Sequence, residues 1–198
     1  MFKSQWLERL SHVHPIVPLL IWVPISLFVL AMGIEHAVLS PLELAAWAAT
    51  GVLSWTLVEY VLHRYVFHLQ IDSHWGRRFH FLLHGVHHDD PNDPSRLVMP
   101  PAASFILALI LIPIFRLIFG PEIYLPFLAG FIWGYLAYDY IHFAVHHFTP
   151  RTPVGKFLKQ SHMLHHFTEV ESRWGVSSPL WDYVFGTTGR SKKKKRSA

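Results

Sequence analysis

Residues 123–147 read IYLPFLAGFIWGYLAYDYIHFAVHH, an apolar run that leads directly into closely spaced histidines. The apolar part, residues 123–141, is close to the roughly 20 residues that a helix needs to cross a bilayer. His142 and His146 follow at i, i+4 spacing, which places two imidazoles on the same face of a helix. The segment therefore predicts a membrane helix that ends in side chains suited to bind a metal ion.

Three further apolar stretches of similar length precede this one, at about residues 16–33, 42–61 and 102–119. Ser40-Pro41 separates the first two stretches, and Gly120-Pro121 separates the last two. These breaks favour two helical hairpins with short turns. The composition agrees, because 52% of the residues are hydrophobic and only 15% are charged, against roughly 25% charged residues in soluble domains. The sequence therefore predicts an all-α integral membrane protein with four transmembrane helices.

The first apolar stretch has an alternative interpretation as a signal peptide. It is long for that role and carries two prolines, Pro18 and Pro24. The residues Ala31-Met32-Gly33 make a poor cleavage signal. A retained membrane anchor is the better interpretation.

The distribution of lysine and arginine predicts how the chain is oriented. These residues are concentrated between the second and third helices and after the fourth, and basic loops remain in the cytoplasm. We therefore expect both termini and a cap made of residues 62–101 and 142–190 to lie on the cytoplasmic side of the membrane. The whole chain, residues 1–198, is expected to form a single domain. The basic tail, residues 191–198, is either solvated or in contact with anionic lipid. Nucleic-acid binding is not expected, because no basic surface interleaved with aromatic residues accompanies the tail.

Ten of the sixteen histidines fall into four tight clusters. Ten imidazoles are too many for one ion, but they suit two adjacent ions with about five nitrogen ligands each. That coordination is associated more with iron than with tetrahedral structural zinc. The absence of cysteine excludes disulfides, thiolate zinc sites and iron–sulfur clusters. The predicted metal ligands are His63, His68, His84, His87, His88, His142, His146, His162, His165 and His166.

The spacing within the clusters leads to two local predictions. His84, His87 and His88 have i, i+3, i+4 spacing, as do residues 162, 165 and 166, so each triplet is expected to aim three imidazoles into one pocket. His63 and His68 are five residues apart, which an ideal α-helix would splay. We therefore expect a helix end or a π-type distortion at this place.

Other residues near the clusters are candidate hydrogen-bond partners of the ligand histidines, which usually donate their second N–H to an acceptor. Glu59 lies four residues before His63, and Asp139 lies three residues before His142. Both carboxylates are predicted at helix–membrane boundaries, where an unpaired charge is costly. His80 and His147 are weaker candidates for the same role.

The histidine pattern resembles that of the membrane fatty acid hydroxylase and sterol desaturase superfamily. Four segments resemble those of the fatty acid 2-hydroxylases in particular: EYVLHRYVFH at 59–68, HFLLHGVHH at 80–88, RLVMPP at 96–101 and SSPLWDYVFGT at 177–187. The resemblance covers nearly all of the chain after residue 50.

The resemblance implies O2-dependent hydroxylation at C2 of long acyl chains, either free or in ceramides, at two iron ions held by the ten clustered histidines. Zinc can occupy such a site, because it exceeds iron in the usual affinity order. The resemblance implies no catalytic side chain beyond the metal centre. A substrate from the lipid would pass near the cap, where aromatic side chains are candidate lining residues: Tyr65, Phe79, Trp174 and Trp181.

Many members of the superfamily carry a fused cytochrome b5 domain, and too few residues precede the first predicted helix to form one. We therefore expect a separate electron donor of the cytochrome b5 or ferredoxin type. The expected location is the endoplasmic reticulum in a eukaryote or the inner membrane in a bacterium.

Two alternative functions remain open from the sequence. The same centre could hydroxylate or desaturate a sterol or another lipid, and the motifs alone do not separate these reactions. A non-catalytic metal-binding or metal-transport protein is more remote, because transporters place their ligands near the bilayer midplane and the four apolar stretches hold almost no interior histidine.

Overall fold

The computed structural model describes residues 12–36, 38–69 and 72–189, and every regular element in these ranges is helical, as predicted. The side chains of residues 75, 79, 80, 82 and 83 and the predicted basic tail lie outside the described part. The helices are α1 (Val17–Glu35), α2 (Pro41–Leu62), α3 (His74–His80), α4 (Val86–Asp89), α5 (Pro101–His147), α6 (Pro153–Phe167) and α7 (Leu180–Val184). Two π-helical turns, His63–Phe67 and Phe81–Gly85, extend α2 and join α3 to α4.

Helix α2 begins at a complete capping box. The Ser40 hydroxyl accepts from the Glu43 backbone N–H, and the Glu43 carboxylate accepts from the Ser40 backbone N–H at 2.8 Å. Pro41 occupies the first helical turn, where its missing N–H removes no hydrogen bond. These contacts fix the boundary between α1 and α2 at the break predicted from Ser40-Pro41.

Helix α5 reverses direction at Gly120, the one residue inside it with non-helical torsion angles (φ 70°, ψ 178°). Phe115 and Phe131 would be about 24 Å apart along a continuous helix, yet their ring centroids are 4.8 Å apart. The first arm (residues 101–119) and the second arm (residues 121–147) therefore pack side by side. The predicted break is present, but it needs no separate loop, because glycine tolerates the left-handed φ and Pro121 starts the second arm.

Among the described residues, three helical segments are by length and composition apolar enough to cross a membrane: Val17–Glu35, Pro41–Phe67 and Pro94–His147. The last of these contains both arms of α5. Large apolar side chains on their outer faces are exposed, including Leu109 at 75% and Leu117 at 87%. Such an extensive apolar surface is unusual for a soluble monomer and typical of a membrane protein.

Glycine allows α2 and the second arm to approach closely. A Cβ atom added at Gly130 would lie 1.9 Å from the Ala48 carbonyl oxygen, and one added at Gly51 would lie 2.1 Å from the Phe127 carbonyl oxygen. Contacts of this kind between small residues are a common basis of helix association in membranes. The tight packing brings the C-terminal ends of α2 and the second arm together, and all four histidine clusters lie at that end.

Candidate metal centre

The ten clustered histidines form two groups in the structure, each with five members. Within each group the five potential ligand nitrogens all lie within 4.8 Å of one another. Group A consists of His63, His68, His84, His88 and His165. Group B consists of His87, His142, His146, His162 and His166. This arrangement agrees with the prediction of two adjacent sites with about five nitrogens each.

The inward nitrogens have the spacing of a coordination shell. The Nε2 atoms of His165 and His68 in group A are 3.2 Å apart, and those of His146 and His162 in group B are 2.8 Å apart. Two nitrogens at right angles on one ion, each about 2.1 Å from it, would be about 3 Å apart. The donor set therefore fits a metal ion at each group.

The prediction that each histidine triplet points into one pocket is wrong. His84 and His88 belong to group A, whereas His87 between them belongs to group B. On α6 the division is reversed, because His162 and His166 belong to group B and His165 to group A. Residues i and i+4 share a helix face, while residue i+3 points about 100° away from i+4. Each triplet therefore contributes to both groups.

The predicted distortion at His63 is confirmed. Residues His63–Phe67 form a π-helical turn, and the His68 N–H donates to the His63 carbonyl at 3.2 Å in an i→i+5 bond. The wider turn brings two imidazoles five residues apart into one group. A second π-helical turn, Phe81–Gly85, carries His84, and such turns occur frequently at functional sites.

Backbone carbonyls fix the orientation of two imidazoles in group A. The Nδ1 atom of His63 lies 2.6 Å from the Trp174 carbonyl oxygen, and the Nδ1 atom of His165 lies 2.8 Å from the Ser172 carbonyl oxygen. Because a carbonyl only accepts, Nδ1 carries the proton in each ring, and Nε2 is left as the free acceptor. The His63 Nε2 atom is buried without a hydrogen-bond partner in the described part of the chain, and a metal ion would satisfy it.

The surroundings keep these imidazoles neutral, which is the form that binds metal. Burial lowers the pKa of His165 to about 4. Burial, with a smaller effect from neighbouring histidines, also holds the pKa values of His84 and His162 well below their usual range. Desolvation of the protonated form is the cause in each case.

Comparison with known proteins identifies a family with this architecture. The family model described as fatty acid hydroxylase matches residues 48–187, which include all ten histidines. The chain belongs to the fatty acid hydroxylase family.

Named members of this family match most of the chain. It is 42% identical to dihydroceramide fatty acyl 2-hydroxylase FAH2 of Arabidopsis thaliana, over 94% of this chain and 78% of that protein. It is 33% identical to fatty acid 2-hydroxylase of Homo sapiens, over 94% of this chain and 56% of the human protein. A solved structure, described as full-length scs7p with only the hydroxylase domain visible, matches with a TM-score of 0.86 at 34% identity. That match covers 94% of this chain and 70% of the solved one.

The carboxylates of this fatty acid hydroxylase lie beside the centre but bind backbone amides. Glu59 accepts from the N–H groups of Val176 and Ser177 at 2.6 and 2.7 Å. Asp139 accepts from the Met99 N–H at 3.2 Å. Glu59 therefore acts on the histidines indirectly, through the backbone of residues 176 and 177, and not as the acceptor of an imidazole N–H.

Of the two weaker histidine candidates, His147 stands apart from both groups. The His147 ring packs on Phe143 at a centroid distance of 4.6 Å, and its Nε2 atom is buried with no hydrogen-bond partner among the described residues. The side chain of His80 lies outside the described part of the structure.

A cavity of about 580 Å³ connects the metal centre with the helix bundle. His84 of group A and His87 and His142 of group B line one part of it. The other lining residues are Leu62, Val66, Phe67, Val86, Arg96, Leu97, Val98, Met99, Pro100, Ala103, Ile106, Leu107, Ile110, Leu111 and Tyr138. It is therefore a mostly apolar space that reaches both groups.

Three of the aromatic residues predicted at the substrate entrance have other contacts in the structure. Trp174 is buried and packs on His68 at a centroid distance of 4.8 Å. The Trp181 indole N–H donates to the Thr56 hydroxyl, and Tyr65 is exposed beneath the Arg64 guanidinium. None of these three is among the described cavity-lining residues, and the side chain of Phe79 lies outside the described part.

Sequence reasoning missed the residues that do line the cavity. The side chains on the first arm recur at positions 103, 106, 107, 110 and 111, a helical period. That period is hidden in the sequence, because the opposite face of the same arm is also apolar.

Proposed function

We propose that this protein is a membrane-bound fatty acyl 2-hydroxylase. The observation that carries the proposal is a cavity that joins both histidine groups to a long apolar wall. The wall formed by residues 103–111 is about 12 Å long at the helical rise per residue, so it suits an extended acyl chain. The relatives named as dihydroceramide and fatty acid 2-hydroxylases support the same substrate class.

Two iron ions are the proposed metals, with groups A and B as their ligands. Imidazole suits both iron and zinc, so zinc is expected to occupy the site without supporting turnover. When bound, the iron ions would supply the oxidising chemistry, and the protein would supply binding and orientation. Insertion of one oxygen atom of O2 into the C2–H bond, with the other leaving as water, requires two electrons and two protons. We propose that a separate cytochrome b5 or ferredoxin-type protein delivers the electrons.

The chain itself positions the substrate. The apolar cavity wall binds the tail and excludes water. With the tail along residues 103–111, the carboxyl end of the acyl chain is directed towards His84, His87 and His142, so that C2 lies near both groups. Tyr138 also lines this space and stacks on His142 at a centroid distance of 5.8 Å. Orientation of this kind is a large part of what an enzyme contributes to such a reaction.

We further propose that the two arms of α5 cross the membrane separately, giving four spans. Their side-by-side packing across Gly120 supports this interpretation. The cavity then opens laterally to lipid, because Ile106 and Ile110 line it while remaining 60% and 54% exposed. The basic residues predict that the termini and the histidine end face the cytoplasm, in the endoplasmic reticulum or a bacterial inner membrane according to the host.

Feeding host cells an acyl chain deuterated at C2 tests the reaction. Cells that express the protein should form a lipid that has lost one C2 deuterium and gained one oxygen atom. The matched controls are His142→Ala, which removes a proposed ligand, and His14→Ala, which changes an exposed histidine outside both groups. Acyl lipids that remain unchanged despite a supplied electron donor would overturn the proposal and favour another lipid substrate.

A further inference from the structure

One short segment, which we call the carbonyl loop (residues 172–178), contacts group A selectively. Its Ser172 and Trp174 carbonyls accept from the Nδ1 atoms of His165 and His63. The Trp174 ring also packs on His68 at a centroid distance of 4.8 Å. Three of the five group A imidazoles therefore touch this loop.

Group B receives less support of this kind in the described part of the chain, where the Leu97 backbone interacts with the His142 ring. Three of its Nδ1 atoms are buried without a hydrogen-bond partner there: those of His87, His162 and His166. The two groups thus have the same number of imidazoles but different surroundings. The surroundings of a ligand imidazole fix its orientation and tune its affinity for metal.

The backbone of the carbonyl loop turns sharply between its two accepting carbonyls. Arg173, which lies between Ser172 and Trp174, has φ of 61° and is the only non-glycine residue with positive φ in the described chain. Left-handed backbone is disfavoured for a residue with a Cβ atom, so neighbouring contacts must hold it. The Arg173 N–H donates to the Thr187 carbonyl at 2.8 Å, which is one such contact.

Two buried carboxylates hold the rest of the loop through four consecutive backbone N–H groups. Asp182 accepts from Trp174 and Gly175 at 2.9 and 2.8 Å, and Glu59 accepts from Val176 and Ser177 at 2.6 and 2.7 Å. Each carboxylate is only 2% exposed. Glu59 comes from α2 and Asp182 from α7, so two helices fix the loop from both sides.

We propose that Glu59 and Asp182 are positioning residues for the metal ion of group A alone. They hold the carbonyl loop, and the loop orients His63 and His165 so that both Nε2 atoms point at one ion. The inference rests on the proposed metal-binding function of the two groups. It assigns these carboxylates a task at one ion that leaves the other ion unaffected.

The two carboxylates differ in a way that makes the proposal sharply testable. Both Asp182 oxygens accept from backbone N–H groups, which cannot reverse their direction. In an Asp182→Asn variant, the side-chain NH2 group would face one of these backbone N–H groups, so that two donors would oppose each other. Glu59 Oε1 accepts both backbone N–H groups, whereas Oε2 accepts only the Ser177 hydroxyl, which can turn round and accept instead. Glu59→Gln should therefore preserve the loop, while Asp182→Asn should disrupt it.

The experiment measures bound iron plus zinc per chain in the full-length protein purified in detergent. The wild-type protein, Glu59→Gln and the exposed control Glu43→Gln should each retain two ions. Asp182→Asn should retain one. Adding His68→Ala from group A should cause no further loss, whereas adding His146→Ala from group B should reduce the content to nearly none.

A milder variant covers the case in which Asp182→Asn does not fold. Thr187→Val removes a hydroxyl that donates to Asp182 Oδ1 at 2.7 Å, and it leaves the four loop amides in place. Challenge with a chelator should then release one ion about 10- to 100-fold faster than in the wild type. The release rate of the second ion should not change.

Four results would overturn the inference: two ions in Asp182→Asn, loss of both ions from a folded Asp182→Asn protein, loss of an ion from Glu59→Gln, or equal acceleration of both release phases in Thr187→Val. The failure of the underlying function would be recognised separately. In that case the wild-type protein itself would bind fewer than two ions.

Discussion

The imidazoles of His88 and His166 stack across the boundary between the two histidine groups, with ring centroids 4.2 Å apart and an interplanar angle of 23°. His88 belongs to group A and His166 to group B. The Nε2 atom of His88 lies 3.1 Å from that of His84, and the Nε2 atom of His166 lies 3.1 Å from that of His162. The two rings therefore form a shared wall between the two sites.

The shared wall has a structural cause in the helices that carry it. His88 ends the triplet that runs from the second π-helical turn into α4, and His166 ends the triplet on α6, so α4 and α6 meet through equivalent positions. Because each helix supplies both groups, neither site can be assembled without the other's scaffold. Helix packing, rather than a flexible loop, would then set the distance between two bound ions.

Neighbouring histidines at the end of α5 give a direct test of the ligand assignment. His146→Ala should lower the metal content by one ion per chain and reduce activity about 100-fold or more, because it removes a nitrogen of group B. His147→Ala should keep both ions, because its ring lies outside both groups. Elemental analysis of the two purified variants provides the measurement. Equal metal content in both would contradict the assignment of His146.

The clustering of the histidines in the sequence predicted that these ten imidazoles come together, but not how they divide into two groups. The i, i+4 pairs His84/His88 and His142/His146 each share a group, as expected from their common face. The position of His87 could not be predicted, because the angle between neighbouring side chains does not reveal where a second ion lies. That information comes from packing between α4, α5 and α6.

The carbonyl loop was hidden from the sequence for a different reason. Every residue has a backbone carbonyl, so nothing distinguishes Ser172 or Trp174 as the partner of a histidine. Glu59 is a candidate partner in the sequence because it lies four residues before His63. Its partners in the structure, Val176 and Ser177, lie 117 and 118 residues away along the chain. Only the fold brings these groups together.

The close contact at Gly130 leads to a prediction about stability. Gly130→Ala should destabilise the protein by about 1–3 kcal/mol, although alanine favours helix more than glycine does. The added Cβ atom would lie 1.9 Å from the Ala48 carbonyl oxygen, and neither backbone can move without separating α2 from α5. Thermal unfolding in detergent would measure the effect.

The matched control for this substitution is Ala137→Val, which adds two methyl groups at an exposed position of the same arm. Its unfolding temperature should stay close to that of the wild type. If Gly130→Ala were equally well tolerated, α2 and the second arm would not depend on this contact.

The need for an external electron donor can be tested with the purified protein. With acyl substrate and O2 but no donor, sustained turnover should be absent, because the reaction consumes two electrons that no group in the described chain supplies. Addition of cytochrome b5 with its reductase, or of a reduced ferredoxin, should start product formation. Mass spectrometry of the product measures the outcome. Multiple turnovers without any donor would refute this requirement.

The far end of the cavity should control the acyl chain length. Leu111 is the most distant lining residue from the histidine end along the first arm, and it also lines a smaller cavity of about 80 Å³ deeper in the bundle. Leu111→Trp should fill this end and lower the turnover of the longest substrates about 10-fold or more, because the tail could no longer extend without displacing packed side chains. Shorter chains should react at nearly the wild-type rate.

Leu109→Trp is the matched control for this substitution, because Leu109 is 75% exposed on the outer face of the same helix and does not line the cavity. Competition between acyl chains of different length, with the metal content checked in each variant, measures the shift. An unchanged length profile in Leu111→Trp would mean that the tail leaves the cavity earlier, through the lipid-facing opening between Ile106 and Ile110.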